Sequence, residues 1–394
     1  MVQLSQRALQ LMPSPTLAIS AQAKEMRMRG EDVINMGAGE LDLSPPSHVA
    51  EAVQQALATG HTTYTSAAGI LPLREAVMAD LKQGWQVEYS FDEIAVMVGA
   101  KQALYNVFQV LLDLGDEVVV PAPYWVSYVE QIKLAGGVPI ILSTKIEDRF
   151  LLDPDDLQQC ITPRTKVLVL NTPGNPTGVV YPQKRLAALT EICLKHGIWI
   201  ISDEIYSRLI HASGVKHTSP LHMDREVADR TIWIHGVSKT YAMTGYRIGF
   251  AAGNRDVIQA MVRLSSQSTS NPTSIAQYAA LAALTGPQDS VVKTKKILAD
   301  RCQRVQASLT DLPHISSLHP DGAFYVFLNV ASCLHPGEDD FDFAKRLLFT
   351  EKIAAVPGTA FGKPGYLRLS YALDDRSLQK ALARLRHALK LSVH

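Results

Sequence analysis

Residues 198–206, Ile198-Trp199-Ile200-Ile201-Ser202-Asp203-Glu204-Ile205-Tyr206, decide how this chain is read. An apolar run without polar alternation is the pattern of a strand buried on both faces of a sheet. Here it ends on an acid. A carboxylate at the end of such a strand is unfavourable unless a cation or a strong donor meets it. A protonated pyridine nitrogen is a partner of that kind, and Tyr206 is spaced to reach the ring oxygen beside it. Taken by position alone, Asp203 serves equally well as the cap of a following helix.

Outward from this strand, similar runs read as strands at Ile94–Val98, Glu117–Val120, Val138–Leu142, Lys166–Leu170, Thr231–Ile234 and Arg247–Ala251. Helical periodicity lies between them, as at Lys101–Leu112, Tyr124–Leu134 and Gln183–Lys195. The alternation predicts an α/β fold, a mostly parallel sheet sandwiched by helices with right-handed crossovers. Beyond it the character changes. Ser274 to about Thr310 reads as two successive helices, with Lys293-Thr294-Lys295-Lys296 as a solvated face. A strand at Ala323–Asn329, a helix near Phe341–Thr350, strands at Ile353–Val356 and Tyr366–Ser370, and a closing helix from Ser377 predict a smaller α+β domain. The expected division is an N-terminal arm with part of the small domain at 1–44, a large domain at 45–285 and a small C-terminal domain at 286–394. Ser44-Pro45-Pro46 marks the crossover from the arm.

Composition narrows the function classes. Apolar residues make up 47% of the 394 and charged residues 19%, as in an ordinary globular protein. Lys plus Arg equals Asp plus Glu at 38 each, so no overall field favours nucleic acid or an anionic membrane. The four cysteines form no CxxC and no His/Cys cluster at metal spacing, which predicts reduced thiols and no metal site. Met1 to Pro15 holds no apolar stretch of signal-peptide length, and no run approaches the roughly 18 apolar residues of a membrane span. The expectation is a cytoplasmic protein.

Three other strand ends carry chemistry. The strand at 231–234 leads into His235-Gly236-Val237-Ser238-Lys239-Thr240, where a lysine among small residues can be desolvated into an amine nucleophile. Arg247, in Met243-Thr244-Gly245-Tyr246-Arg247-Ile248-Gly249, offers paired donors to a phosphate or, equally, to a salt bridge. Gly99-Ala100-Lys101-Gln102 opens a helix whose first amides and dipole suit a phosphate. The strand at 166–170 ends in Asn171-Thr172-Pro173-Gly174-Asn175-Pro176-Thr177-Gly178, a rigid turn that presents the Asn175 amide. Gly37-Ala38-Gly39-Glu40 lacks the third glycine and the preceding strand of a dinucleotide fingerprint.

Taken in order, Asn-Pro-Thr-Gly, Asp-x-x-Tyr, Ser-Lys and Arg-x-Gly resemble the fold-type-I, class I aminotransferases, and within them the bacterial aspartate aminotransferase branch. The likeness covers nearly the whole chain. It takes in Gly37-Ala38-Gly39-Glu40, Tyr64-Thr65-Ser66-Ala67-Ala68-Gly69, Pro123-Tyr124-Trp125, Ser266-Gln267-Ser268-Thr269, Val356-Pro357-Gly358 and Arg368-Leu369-Ser370-Tyr371.

The resemblance implies pyridoxal 5′-phosphate as cofactor, joined to Lys239 as a Schiff base, with Lys239 then moving a proton between substrate Cα and cofactor C4′. It implies that Asp203 keeps the pyridine nitrogen protonated, making the ring an electron sink. Tyr206 and Asn175 would donate to the ring oxygen and Trp125 would stack on the ring. Gly99, Ala100, Lys101, Ser238 and Arg247 would surround the phosphate. Tyr64 would reach the phosphate in the neighbouring subunit of a homodimer. Arg368 would grip the substrate α-carboxylate as a bidentate pair, near Gly39, Trp125 and Asn175. Lys101, with Ser14 and Thr16 of the N-terminal segment, would hold a distal carboxylate. That implies aspartate or glutamate reacting with 2-oxoglutarate or oxaloacetate in ping-pong order. Without the resemblance, Trp125 reads as a core aromatic and Arg368 as a surface cation.

Departures accompany the likeness. His235 and Gly236 replace the usual Asn and the frequent Ser before the lysine, and are expected to tune phosphate contacts. Glu40-Leu41-Asp42 replaces Glu-Pro-Asp and loosens a loop beside the substrate. Met12 stands where prephenate-accepting relatives often carry a basic residue, which argues against a prephenate specialist. The alternatives on this scaffold are aromatic, aliphatic or prephenate-type substrates, and elimination or oxidation from the same carbanion. A cofactor-sensing regulator would need an added DNA-binding segment, and no basic helix-turn-helix stretch is left over.

Overall fold

Alternate residues of the central strands enter different cores, which is why their sequence shows no polar face. The computed structural model describes residues 4–5, 8–9, 11, 15–312 and 314–391. Its strands are β1 (Ile34–Asn35), β2 (Ile94–Met97), β3 (Glu117–Ala122), β4 (Val138–Ser143), β5 (Thr165–Asn171), β6 (Trp199–Asp203) and β7 (Thr231–Gly236). There follow β8 (Gly249–Ala252), β9 (Ser316–Ser317), β10 (Tyr325–Asn329), β11 (Ile353–Ala354), β12 (Val356–Pro357) and β13 (Tyr366–Ser370).

Seven strands form one sheet in the order β2-β8-β7-β6-β5-β3-β4. The run from β7 to β4 is parallel, and β8 is antiparallel to both of its neighbours. This is the mostly parallel α/β sheet expected. Val167, Val169, Ile201, Ile232 and Ile234 enter a core on one face, together with the apolar stripe Leu104, Val107, Phe108 and Leu111 of the helix Ala100–Leu111. Leu168, Leu170 and Ile200 enter the core beneath the helix Gln183–Lys195. Trp233 and Phe250 pack with the helix Leu71–Trp85. Each such side chain contributes about 1.5–3 kcal/mol by leaving water, and a one-residue slip would send each into the opposite core, whose packing is built for other side chains.

The second sheet is small and antiparallel, in the order β12-β13-β10-β9. It is covered by the helices Asp289–Leu309, Asp340–Thr350 and Asp375–Leu391 through Leu298, Val305, Phe343, Leu347 and Leu385. β1 pairs in parallel with β11, and the helix Pro15–Met28 packs Ala23 and Met26 beside Leu348 and Ala354. The segment 15–35 thus joins the small sheet's side of the molecule. Among the described residues no helix is long and apolar enough to cross a membrane.

Among the boundaries that differ from expectation, three have a local cause or bear on the site. The strand expected at Ile353–Val356 is two strands, because the chain leaves its pairing with β1 at Ala354 and begins pairing with β13 at Val356. The strand expected from Arg247 starts at Gly249; Arg247 itself sits in a left-handed turn at φ 57°. The helix expected from Tyr124 starts at Ser127. The helices Ser47–Ala58, Leu71–Trp85 and Arg255–Ser268 are present in addition to the expected ones.

Candidate active site

The carboxyl ends of β5, β6 and β7 open onto a cavity of about 690 Å³ closed on its other side by β10 and β13. Ligands of open α/β sheets bind at such strand ends. Gly39, Ala100, Lys101, Trp125, Asn175, Asp203, Tyr206, Ser238, Lys239, Arg247 and Arg368 all line it. Eleven residues singled out from sequence are thus brought together. Gly99 stands directly behind: a Cβ there would lie 2.6 Å from an Arg247 nitrogen, so only glycine lets that guanidinium close on the helix start. Tyr64 is not at this cavity and is 88% exposed. Ser14, Met12 and the side chain of Thr16 lie outside the described residues.

Asp203 ends β6 on the face shared with Ile201, and its Oδ2 accepts from the Tyr128 phenol at 2.6 Å. Its Oδ1 accepts from the Ile205 amide at 3.3 Å. Burial pushes its carboxyl up to about 6 against those two bonds. The Asn171 amide nitrogen bonds the Asp203 carbonyl at 2.9 Å while its oxygen receives the Asn175 amide at 2.7 Å, tying two strand ends to the 173–178 turn.

Lys239 lies in the single helical turn Val237–Thr240, and its ammonium donates to the Gly39 carbonyl at 2.6 Å. Burial first, then the Arg368 and Arg247 cations, bring the amine down to about 8. Lys101 is lowered by burial and by Arg247, and its ammonium stands 4.9 Å from the Trp125 ring centroid.

Arg368 comes from the small sheet. It is 3% exposed and donates to the Asn175 Oδ1 at 3.1 Å and the Gly37 carbonyl at 2.7 Å, and its Nε has no hydrogen-bond partner among the described residues. A buried guanidinium with an unspent donor is poised for an anion.

The family of aminotransferase class I and II matches residues 31–385. This chain belongs to that family. The aminotransferase is 45% identical over 387 residues to the aspartate aminotransferase of Bacillus subtilis (strain 168), with 98% of each chain covered. It is 46% identical over 389 residues to a probable aspartate/prephenate aminotransferase of Thermus aquaticus, covering 98% of this chain and 99% of that one. Among solved structures it resembles the aspartate aminotransferase of Thermus thermophilus with maleate at a TM-score of 0.94 and 42% identity, covering 98% of this chain and 100% of that chain.

Two expectations about the aminotransferase's departures fail. His235 is absent from the cavity: it falls on the Trp233 face of β7, with its ring 5.1 Å from Trp233 and 5.5 Å from Trp85. Strand alternation dictates this, since Ile234 takes the other face. Burial brings its imidazole down to about 3. Gly236 is a packing glycine, because a Cβ would stand 2.9 Å from the Ile248 carbonyl.

Sequence reading missed Tyr128, Tyr325 and the setting of Glu204. Glu204 is fully buried behind Asp203 and receives Trp85 Nε1 at 2.6 Å, His217 Nε2 at 2.6 Å, Ser202 Oγ at 2.7 Å and Ser219 Oγ at 2.6 Å. Burial pushes its carboxyl up, but His217, Ser219 and Trp85 hold it below the ordinary range. The only sequence signal was a second acid directly after Asp203.

Proposed function

We propose that this aminotransferase carries pyridoxal 5′-phosphate on Lys239 and moves an amino group between L-aspartate or L-glutamate and 2-oxoglutarate or oxaloacetate. One observation carries the reading: an amine brought down to about 8, in a cavity walled by a buried acid and a buried guanidinium. The residues fit the cofactor. Among the described residues Asp203 accepts hydrogen bonds only from neutral donors and Arg368 Nε is unspent, and Gly99 gives way to the Arg247 cation.

When bound, the cofactor supplies an aldehyde carbon that receives amines and a ring that accepts electrons from Cα. Asp203 would hold a proton on the pyridine nitrogen. The Tyr206 phenol and the Asn175 amide nitrogen would donate to the ring oxygen, and Trp125 would cover the ring. Arg247, Ser238 and the Gly99–Lys101 segment would bind phosphate at the helix start. Arg368 would pair with the α-carboxylate. Lys239 Nζ would take the proton from Cα and return it at C4′.

Lys101, on the wall beside Trp125, supports a substrate with a distal carboxylate; Ser14 and the Thr16 side chain, expected to join it, lie outside the described residues. The relatives named for aspartate, and maleate in one of their structures, support the dicarboxylate class. A prephenate-type substrate is a second reading, favoured by Lys24 and Arg27 at the cavity mouth and by the Thermus aquaticus relative's name. Tyr64, exposed and not among the residues that line its own cavity, supports a homodimer in which it serves the neighbouring phosphate site. A large domain at 45–285, a small one at 286–394 joined by the 1–44 arm, and a cytoplasmic location belong to the same reading.

The test is half-reaction spectroscopy. Aspartate and glutamate, added singly to protein loaded with cofactor, should each bleach its visible band, and Lys101→Met should raise KM for aspartate far more than for alanine. If neither dicarboxylic amino acid changes the band, the substrate assignment is wrong.

A further inference from the structure

Tyr325 has no part in the reading above, yet it touches two of its principal groups. Its hydroxyl lies 3.0 Å from the Tyr206 hydroxyl, and neither side chain reaches solvent appreciably. The Arg368 guanidinium sits 4.4 Å from the centroid of the same Tyr325 ring. Tyr206 follows β6 in the large sheet, whereas Tyr325 and Arg368 lie on the paired strands β10 and β13. One side chain therefore spans the cavity from the carboxylate side to the ring-oxygen side.

A phenol has a single proton. Once Tyr206 donates to a ring oxygen, its bond with Tyr325 persists only with Tyr325 as donor. A donated bond polarises its acceptor and strengthens the acceptor's own donation. Burial raises the Tyr325 phenol, and Arg368 opposes that rise, so the cation makes Tyr325 a better donor. A carboxylate on Arg368 offsets this charge and weakens the chain of donors. Asp203, Glu40, Lys239 and Arg247 are the other charged groups facing this cluster, and Tyr371 is a further phenol beside it.

We propose that Tyr325 is a positioning residue that couples carboxylate binding at Arg368 to the strength of Tyr206's donation to the cofactor's ring oxygen. This rests on the cofactor and carboxylate placements proposed above. Donation from Tyr206 favours the deprotonated cofactor, so weakening it moves the visible pH transition upward.

The experiment compares wild type, Tyr325→Phe, Tyr206→Phe and the double variant, each loaded with pyridoxal 5′-phosphate. Their visible absorbance is titrated with pH, with and without maleate. Maleate should move the wild-type transition upward. Tyr325→Phe should begin higher by about half a pH unit, the worth of a modest hydrogen bond, and respond less to maleate. The double variant should titrate like Tyr206→Phe. Phenylalanine keeps the ring beneath Arg368, so a purely packing role would leave these midpoints unmoved, and matched melting curves confirm that all four proteins are folded. Wild-type titration by Tyr325→Phe, or full additivity with Tyr206→Phe, overturns the coupling. A wild-type protein with no visible band, or no response to maleate, instead overturns the proposed function, and the coupling with it.

Discussion

The Tyr128 phenol donates to Asp203 Oδ2 at 2.6 Å, between a helix and a strand end that are 75 positions apart. A hydrogen bond to a charged group is worth about 1.5–3 kcal/mol. Tyr128→Phe should therefore leave the fold intact, lower kcat by about 10- to 100-fold and weaken cofactor retention. Steady-state kinetics with a cofactor titration check this, and unchanged values for both would remove Tyr128 from the site.

Asp203 is raised from 3.8 to about 6 by burial. The folded protein then binds its proton more tightly than the unfolded chain does. Stability accordingly falls as pH rises from about 4 to 6, and the loss persists above that window. Cofactor-free Asp203→Asn should be more stable than wild type at pH 7.5 by about 1–3 kcal/mol, with the gap closing toward pH 5. The same variant should lose at least about 100-fold in transamination. Denaturant melts at the two pH values decide it, and a gap that does not narrow on acidification contradicts the burial argument.

Lys239 is brought down to about 8, so its neutral amine becomes abundant well below the ordinary 10.5. Uptake of pyridoxal 5′-phosphate by cofactor-free protein should accelerate as pH rises, with a midpoint near 8. Arg368→Gln should move that midpoint upward, because the Arg368 cation is the second cause of the depression. Stopped-flow absorbance measures both. A midpoint near 10 in the parent would show that the amine is solvated.

Glu204 is a buried acid with four side-chain donors. Glu204→Ala strands those donors and should destabilise by about 3–5 kcal/mol, the range for breaking a buried charged pair. Urea unfolding reads it. A change below about 1 kcal/mol would mean the cluster relaxes and contributes little.

The legible part of this protein was local. Unbroken apolar runs marked seven strands of the large sheet because the inner strands are buried on both faces, although the edge strand β4 leaves Val138 and Ile141 exposed, and the strand ends carried Asn175, Asp203 and Lys239 into view. Arg368 was different: on its own it read as a surface cation, and only the match of many short motifs made it a carboxylate partner. It is in fact buried between Phe361 and Tyr325.

Sequence by itself determined the strands and their ends, because periodicity and turn chemistry act over a few neighbours, and with the family likeness it named eleven of the residues on the cavity wall. Tertiary structure alone decided which polar side chain meets which: Tyr128 with Asp203, Tyr206 with Tyr325 and Asn175 with Arg368 join across 75, 119 and 193 positions. It also turned His235 away from the cavity and enclosed Glu204 among Trp85, His217 and two serines. Pairings of this kind depend on how strands order and how two sheets close on each other, and no local pattern encodes that.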